Sequence, residues 1–212
     1  MDLSFESRQD NLRNVLDKMQ QIGIDAAELE VHQEYDLNVD KLKEQEEKKI
    51  EAGDIEQSEK KESWSTSDEA YYYYLDETTQ GLPVFSKRSV NDYSGDERSQ
   101  IIVCAGNDGI RYLYMKWFFL FDIGVDKVKF APIDNIKECI KTKYGKTLDE
   151  NCITVKKMVL GVYPFATDKE KNAVIPVWIC FLERKTKGSE YVEKLYVPIN
   201  AITGEEFYDM EG

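Results

Sequence analysis

From Ala70 onward the sequence consists of aromatic and β-branched runs cut apart by turn residues, and no other feature limits its fold so strongly. The runs are AYYYYLDETTQGLPVF (70–85), SQIIVCAGNDGIRYLYMKWFFLF (99–121), ITVKKMVLGVYPF (153–165), NAVIPVWICFLER (172–184) and EKLYVPINAITGEEF (193–207). Side chains that fit a pleated, half-buried surface predict strands in each of them. Asp108-Gly109 predicts a tight hairpin, and Thr203-Gly204 resembles it. Proline lacks the N–H that a central ladder requires, so Pro83 and Pro176 are expected at edges, strand starts or bulges.

Helical periodicity occurs in few places. Leu12, Val15, Leu16 and Met19 follow i, i+3, i+4, i+7 spacing, which predicts an amphipathic helix over 7–21 stopped by Gly23. A second helix begins near Pro132, carries Ile133, Ile136, Ile140 and Tyr144 on one face, and stops at Gly145. The stretch ELEVHQEY (28–35) alternates loosely and reads as a strand. Between 41 and 62 the texture changes: fourteen of twenty-two residues are charged. Mixed signs predict a solvated helix with i,i+4 pairs, broken near Gly53. It reads as a surface insertion or arm, with a partner-binding helix as the alternative.

The elements recur. Aligning Gly109 with Gly204 lays IIVCAGNDGIRYL over YVPINAITGEEFY with apolar positions matched and the turn at the same point. The two helices align as well, and the difference between the two offsets is close to the length of the charged segment with its flanks. The expected fold class is α+β: two repeats of helix, strand, strand, strand, each with one helix packed on an antiparallel sheet. The first repeat, 1–126, carries the charged helical insertion at about 37–66, and the second is 127–212. QGLPVF and AVIPVWI take equivalent places in this scheme.

Composition restricts the partners. A net charge of −13 repels nucleic-acid phosphates and anionic lipid headgroups, and no basic patch offsets it, so no nucleic-acid partner is expected. The apolar run from Trp117 to Val125 is far shorter than the ~20 residues of a membrane helix. The opening MDLSFESRQDNLRNV lacks the regions of a signal peptide. Two readings of it stand: a cytoplasmic chain, or one from which a leader was removed.

Catalytic chemistry has little to work with. His32, the one histidine, would have to serve any base-dependent nucleophile. Its surroundings, ELEVHQEY, read instead as a partly exposed strand. Cys104, Cys139, Cys152 and Cys180 form no CxxC pair and sit among apolar residues. They are expected as buried thiols, with a Cys139–Cys152 disulfide as the alternative. Glu205 and Glu206 with Asp209, and Asp92, Asp96 and Glu97, are calcium candidates outside the EF-hand pattern. AGNDGI has no lysine placed for a phosphate loop. No catalytic residue, cofactor or metal site is assigned. The run Tyr71, Tyr72, Tyr73 and Tyr74 puts two rings on each face of a strand. One pair is expected inward, and the other forms either core or a partner surface.

A helix followed by an antiparallel meander that ends in YVPINAITGEEF resembles the PepSY module, whose last strand carries an apolar, Asn/Asp-Ala, Thr-Gly-Glu pattern. The longer layout, through YYYYLDETTQGLPV, IIVCAGNDGIRYL, FAPIDNIKECIKTKYGK, VKKMVLGVYPF and VIPVWICF, resembles two-copy proteins related to YycI and YycH, extracytoplasmic regulators of a histidine kinase in Gram-positive bacteria, and surface lipoproteins of similar architecture. The resemblance implies a protein at the cell surface or secreted, with its leader removed and any membrane attachment through a lipid anchor. It implies a non-enzymatic binding or regulatory role toward another protein: a membrane kinase, a peptidase or a surface component. Peptidase inhibition of the propeptide type is the alternative, and a hydrolase built on His32 is a third. The acidic insertion departs from the family pattern.

Overall fold

The computed structural model of the chain describes residues 2–85, 101–116, 118–121, 127–145, 151–166 and 172–207. It is α+β, with two antiparallel sheets and three α-helices among the described residues. The chain divides into two compact units. Unit 1 holds 1–77 and 99–118, and unit 2 holds 78–98 and 119–212.

Unit 1 begins with α1, Arg8–Gln21. Ser7 starts it by accepting the Asp10 N–H on its hydroxyl at 3.2 Å. At the other end Gly23, at φ 92°, lets the Ile24 N–H reach back to the Met19 carbonyl at 3.0 Å. Val15 and Met19 are buried and Leu12 packs partly against the same core, as the spacing predicts. Leu29–Leu37 forms β1, Val39–Ala52 forms α2, Ala70–Thr79 forms β2, Ile101–Gly106 forms β4 and Gly109–Met115 forms β5. These strands stack in the order β1-β2-β4-β5. One face, carrying Tyr71, Tyr73, Leu75, Ile101 and Val103, is sealed against α1.

The charged stretch is an ordered insertion within a hairpin. Leu37 at the end of β1 pairs directly with Ala70 at the start of β2. Everything between them leaves the sheet and returns to the same point. Asn38 caps α2 by accepting the Lys41 N–H at 2.9 Å, and Gly53, at φ 77°, closes it.

In unit 2, the two-residue strand β3, Leu82–Pro83, turns back on Thr78 and Thr79, and the segment then runs beside β6, Asn151–Ala166, where the Phe85 N–H donates to the Val162 carbonyl at 2.8 Å. β7, Asn172–Thr186, lies between β6 and β8, Val192–Asn200. Helix α3, Ile133–Tyr144, packs Ile136 and Ile140 onto Cys180, Leu182, Val197 and Ile199. Ile133, expected on that face, is exposed, one turn too early to reach the sheet. The opposite sheet face is filled by Phe85 and Phe207, which pack with Tyr163, Val177 and Ile179. Gly161 makes room there, because a Cβ on it would lie 2.3 Å from the Phe85 ring and 2.5 Å from the Pro83 carbonyl oxygen.

The two units share an element order, and their turns correspond. Gly109 (φ 104°) follows the β4–β5 turn at Asn107 and Asp108, while Gly204 (φ 78°) ends the turn after β8. Among the described residues, the stretch after Gly204 pairs back on β8 through a bridge from Ile199 to Glu206, at the place where unit 1 has β5. The prolines do not correspond. Pro83 lies in a two-residue strand, whereas Pro176 lies within β7, just before the β8 ladder begins at Val177. Its missing N–H therefore costs no bond to β8.

Candidate functional site

The tyrosine run shows how period-2 geometry distributes one residue type between two tasks. Tyr71 and Tyr73 are fully buried on the α1 face. The Tyr71 hydroxyl accepts the Leu3 N–H at 2.7 Å and donates to the Glu6 carbonyl at 3.0 Å. The Tyr73 hydroxyl lies 3.2 Å from the Arg8 carbonyl and 3.1 Å from Asn11 Oδ1. Burial pushes the pKa of both phenols up, so they remain neutral donors. Glu69, at the head of β2, completes this anchor. Its carboxylate takes the Ser4 hydroxyl at 2.7 Å and the Ser4 N–H at 3.2 Å, and these bonds hold it below the usual carboxylate range.

Tyr72 and Tyr74 point the other way, and the register adds three more tyrosines to their face. Tyr35 pairs with Tyr72, Tyr72 with Cys104, and Cys104 with Tyr112, while Ile102 lies between Tyr74 and Tyr114. Directly paired residues share a face, so Tyr35, Tyr72, Tyr74, Tyr112 and Tyr114 form one aromatic field across four strands. Tyr112 is 50% exposed, Tyr35 45% and Tyr114 38%. The rings of Tyr35 and Tyr74 meet edge to face at 5.7 Å. Tyr72 is more enclosed: burial, followed by its hydrogen bond with Cys104, pushes its hydroxyl up to about 12.

The insertion covers part of this field and leaves a groove. Leu42, Gln45, Glu46 and Lys49 line it from α2, at i, i+3, i+4 and i+7, opposite Tyr35, Tyr72 and Tyr74. Trp64 and Ile55 close the far side, and the volume is about 600 Å³. The wall is fixed by Glu46, which is buried within a helix of charged residues. One carboxylate oxygen accepts the Lys61 N–H at 2.7 Å and the other the Trp64 indole N–H at 2.9 Å. These two bonds, the backbone one foremost, keep its pKa low. The Lys61 ammonium lies 4.5 Å from the Trp64 ring centre and pairs with Asp68.

Arg111 holds the return of the insertion. It is the bulged residue of the β4–β5 pair, and its guanidinium donates to the carbonyls of Ser67 at 2.7 Å and of Asp68 and Glu69 at 3.2 Å. Asp108 takes its Nε–H at 2.6 Å. Gly106 leaves room for this fork.

Other candidate residues fall elsewhere. His32 sits at a bulge in β1, with Nδ1 3.4 Å from Asp76 Oδ2. Cys104 and Cys180 are buried, but Cys152 is exposed and Cys139 half-buried, so the expectation of four core thiols holds for two; all four are free. Cys152 is the second residue of β6 and is exposed, while its neighbour Ile153 packs toward the core under α3, as strand alternation requires. Glu206 pairs with Lys143 beside an open cleft of about 570 Å³ under α3. Asp92, Asp96, Glu97 and Asp209 lie outside the described residues. Among the described residues no three His, Cys, Asp or Glu side chains gather as metal ligands, and no helix is long and apolar enough to cross a membrane.

No family description matches the sequence, and no curated protein matches it. The solved structures that match include the following two. An uncharacterized protein from Eubacterium rectale superposes with a TM-score of 0.50 at 16% identity, over 98% of this chain and 57% of that one. The C-terminal domain of YpeB from Bacillus megaterium superposes with a TM-score of 0.35 at 12% identity, over 97% of this chain and 66% of that one. The chain thus spans less than two thirds of either.

Proposed function

We propose that this chain is a PepSY-like, non-enzymatic binding module that acts outside the cell by holding another protein on the tyrosine face of unit 1. The observation that carries the reading is the aromatic field itself. Five tyrosines share one sheet face, three of them more than a third exposed, and aromatic side chains of this kind concentrate binding energy at protein interfaces. Tyr35, Tyr112 and Tyr114 offer rigid, partly exposed rings, which suits contact with a partner better than core packing.

The experiment places a photo-crosslinking amino acid at Tyr112 in the native organism, with the same group at Lys18 on the exposed side of α1 as control. Irradiation of intact cells is followed by surface proteolysis. A discrete protein adduct formed from Tyr112 alone, and removed by external protease, is the expected result. Equal adducts from both positions would overturn the binding face, and full protection from protease would overturn the extracytoplasmic placement.

A further inference from the structure

The outer strands of the two sheets are not equally protected, and the exception is β5. An edge strand offers a row of N–H and C=O groups to any chain that can pair with it, and bulges, charges or prolines normally guard it. Among the described residues the two ladders end on β1 and β5 in one sheet and on β6 and β8 in the other. β1 bulges at His32 and carries Glu30, Glu34 and Asp36. β6 bulges at Lys156, beside Lys157, and β8 holds Glu193, Lys194 and Pro198. β5 bulges only at Arg111, next to its turn, and that guanidinium is turned back onto the carbonyls of Ser67, Asp68 and Glu69. Beyond it Tyr112, Leu113, Tyr114 and Met115 pair regularly with Cys104, Val103, Ile102 and Ile101, and carry no charge, proline or bulge.

We propose that β5 pairs antiparallel with β5 of a second copy of this chain, joining two tyrosine faces into one. The occupant is a second copy because the strand is its own complement. With a two-fold axis through Leu113, Tyr112 of each copy lies opposite Tyr114 of the other, and cross-strand aromatic pairs of this kind stabilise a ladder. Leu113 then faces Leu113. Directly opposite residues share a face, so the register that matches tyrosine to tyrosine also keeps the core side of one sheet level with the core side of the other. The segment 109–116 holds Arg111 and Lys116 and no acid, in a chain of net charge −13, so the seam itself adds nothing to the acidic repulsion between copies. Because each copy presents the same strand, the contact is isologous and closes as a dimer. The inference goes beyond the binding-face reading above and does not require it.

The test is sedimentation equilibrium of the full chain. A reversible dimer is expected, tighter as salt screens the like net charges. Tyr112→Lys or Tyr114→Lys, both at exposed positions, should weaken it about tenfold, since each removes two aromatic pairs per dimer. Tyr35→Lys, on the same face but in β1, should leave it unchanged. The register is read by oxidative crosslinking in a Cys152→Ser background. Tyr112→Cys mixed with Tyr114→Cys should give a covalent dimer, with the other tyrosine pair left in place, and neither variant alone should do so. A chain that stays monomeric at the highest attainable concentration, growth beyond a dimer, equal weakening by Tyr35→Lys, or crosslinks from one variant alone would each overturn the proposal. A different protein captured from Tyr112 in cells, with the chain monomeric in solution, would overturn this inference and leave the binding face standing. A dimer in solution with nothing but a second copy captured in cells would do the reverse.

Discussion

At Gly106 a methyl group would lie 2.2 Å from the Cζ of Arg111, well inside van der Waals contact. Gly106→Ala must therefore push the guanidinium away from the carbonyls of Ser67, Asp68 and Glu69. The expected loss is about 1–3 kcal/mol in urea unfolding, in the range of overpacked sites. Arg111→Lys should cost stability too, because a single ammonium cannot reproduce the planar fork. The tyrosine run offers a paired comparison. Tyr71→Phe leaves the buried Leu3 N–H without its acceptor and should cost about 1–2 kcal/mol, whereas Tyr74→Phe, on the open face, should change unfolding little. That division was legible in the sequence, since four consecutive tyrosines in a strand must alternate. The place of Arg111 was not, because the acceptors that tie it to the insertion are backbone carbonyls more than forty residues earlier, and backbone carbonyls carry no residue signature.

At the scale of elements, the insertion is the most informative part. Its charge density and Gly53 foretold a helix and its end. Nothing in the charge pattern foretold that Glu46 would be buried, because its partners, the Lys61 N–H and the Trp64 indole, lie beyond the helix. Tyr112 and Tyr114 could have been added to the tyrosine face from the alternation in GIRYLYM, but their alignment with Tyr72 and Tyr74 needs the strand register. Because Leu37 and Ala70 face each other across the ladder, 38–68 can be replaced by a short Asn-Gly turn. The shortened chain should still unfold cooperatively, with the amides of Val103 and Leu75 protected from hydrogen exchange, while its tyrosines become more accessible to chemical nitration. Loss of the cooperative transition would show that the insertion is integral to unit 1.

For the whole molecule, the repeated element order was legible, and GEEF and GIRYLYM both begin with a turn glycine. Charge distribution separates the two units more sharply than topology does. Asp36, Glu46, Asp68 and Glu69 all belong to unit 1, and each is held below its ordinary range, Asp68 at about 2 by Lys61 and Ser65. A depressed folded pKa gives stability that is present above the unfolded value, about 4 for a carboxylate, and lost as pH falls through the folded one. Acidification from about pH 4 toward 2 should thus disturb Trp64, in unit 1, before Trp178, in unit 2, as read from their indole resonances, and Glu69→Gln should flatten that pH dependence. Simultaneous loss of both signals would contradict it. The hairpin that holds the insertion also bears on the order of folding. β1 and β2 can pair only after the chain between them has come full circle, and closing a long flexible loop carries an entropic penalty. The Asn38 cap, the Gly53 stop and the two bonds of Glu46 can form within the loop beforehand. They shorten the span left to close, so the stretch richest in charge acts as a preassembled clasp that sets how fast the first sheet can be completed.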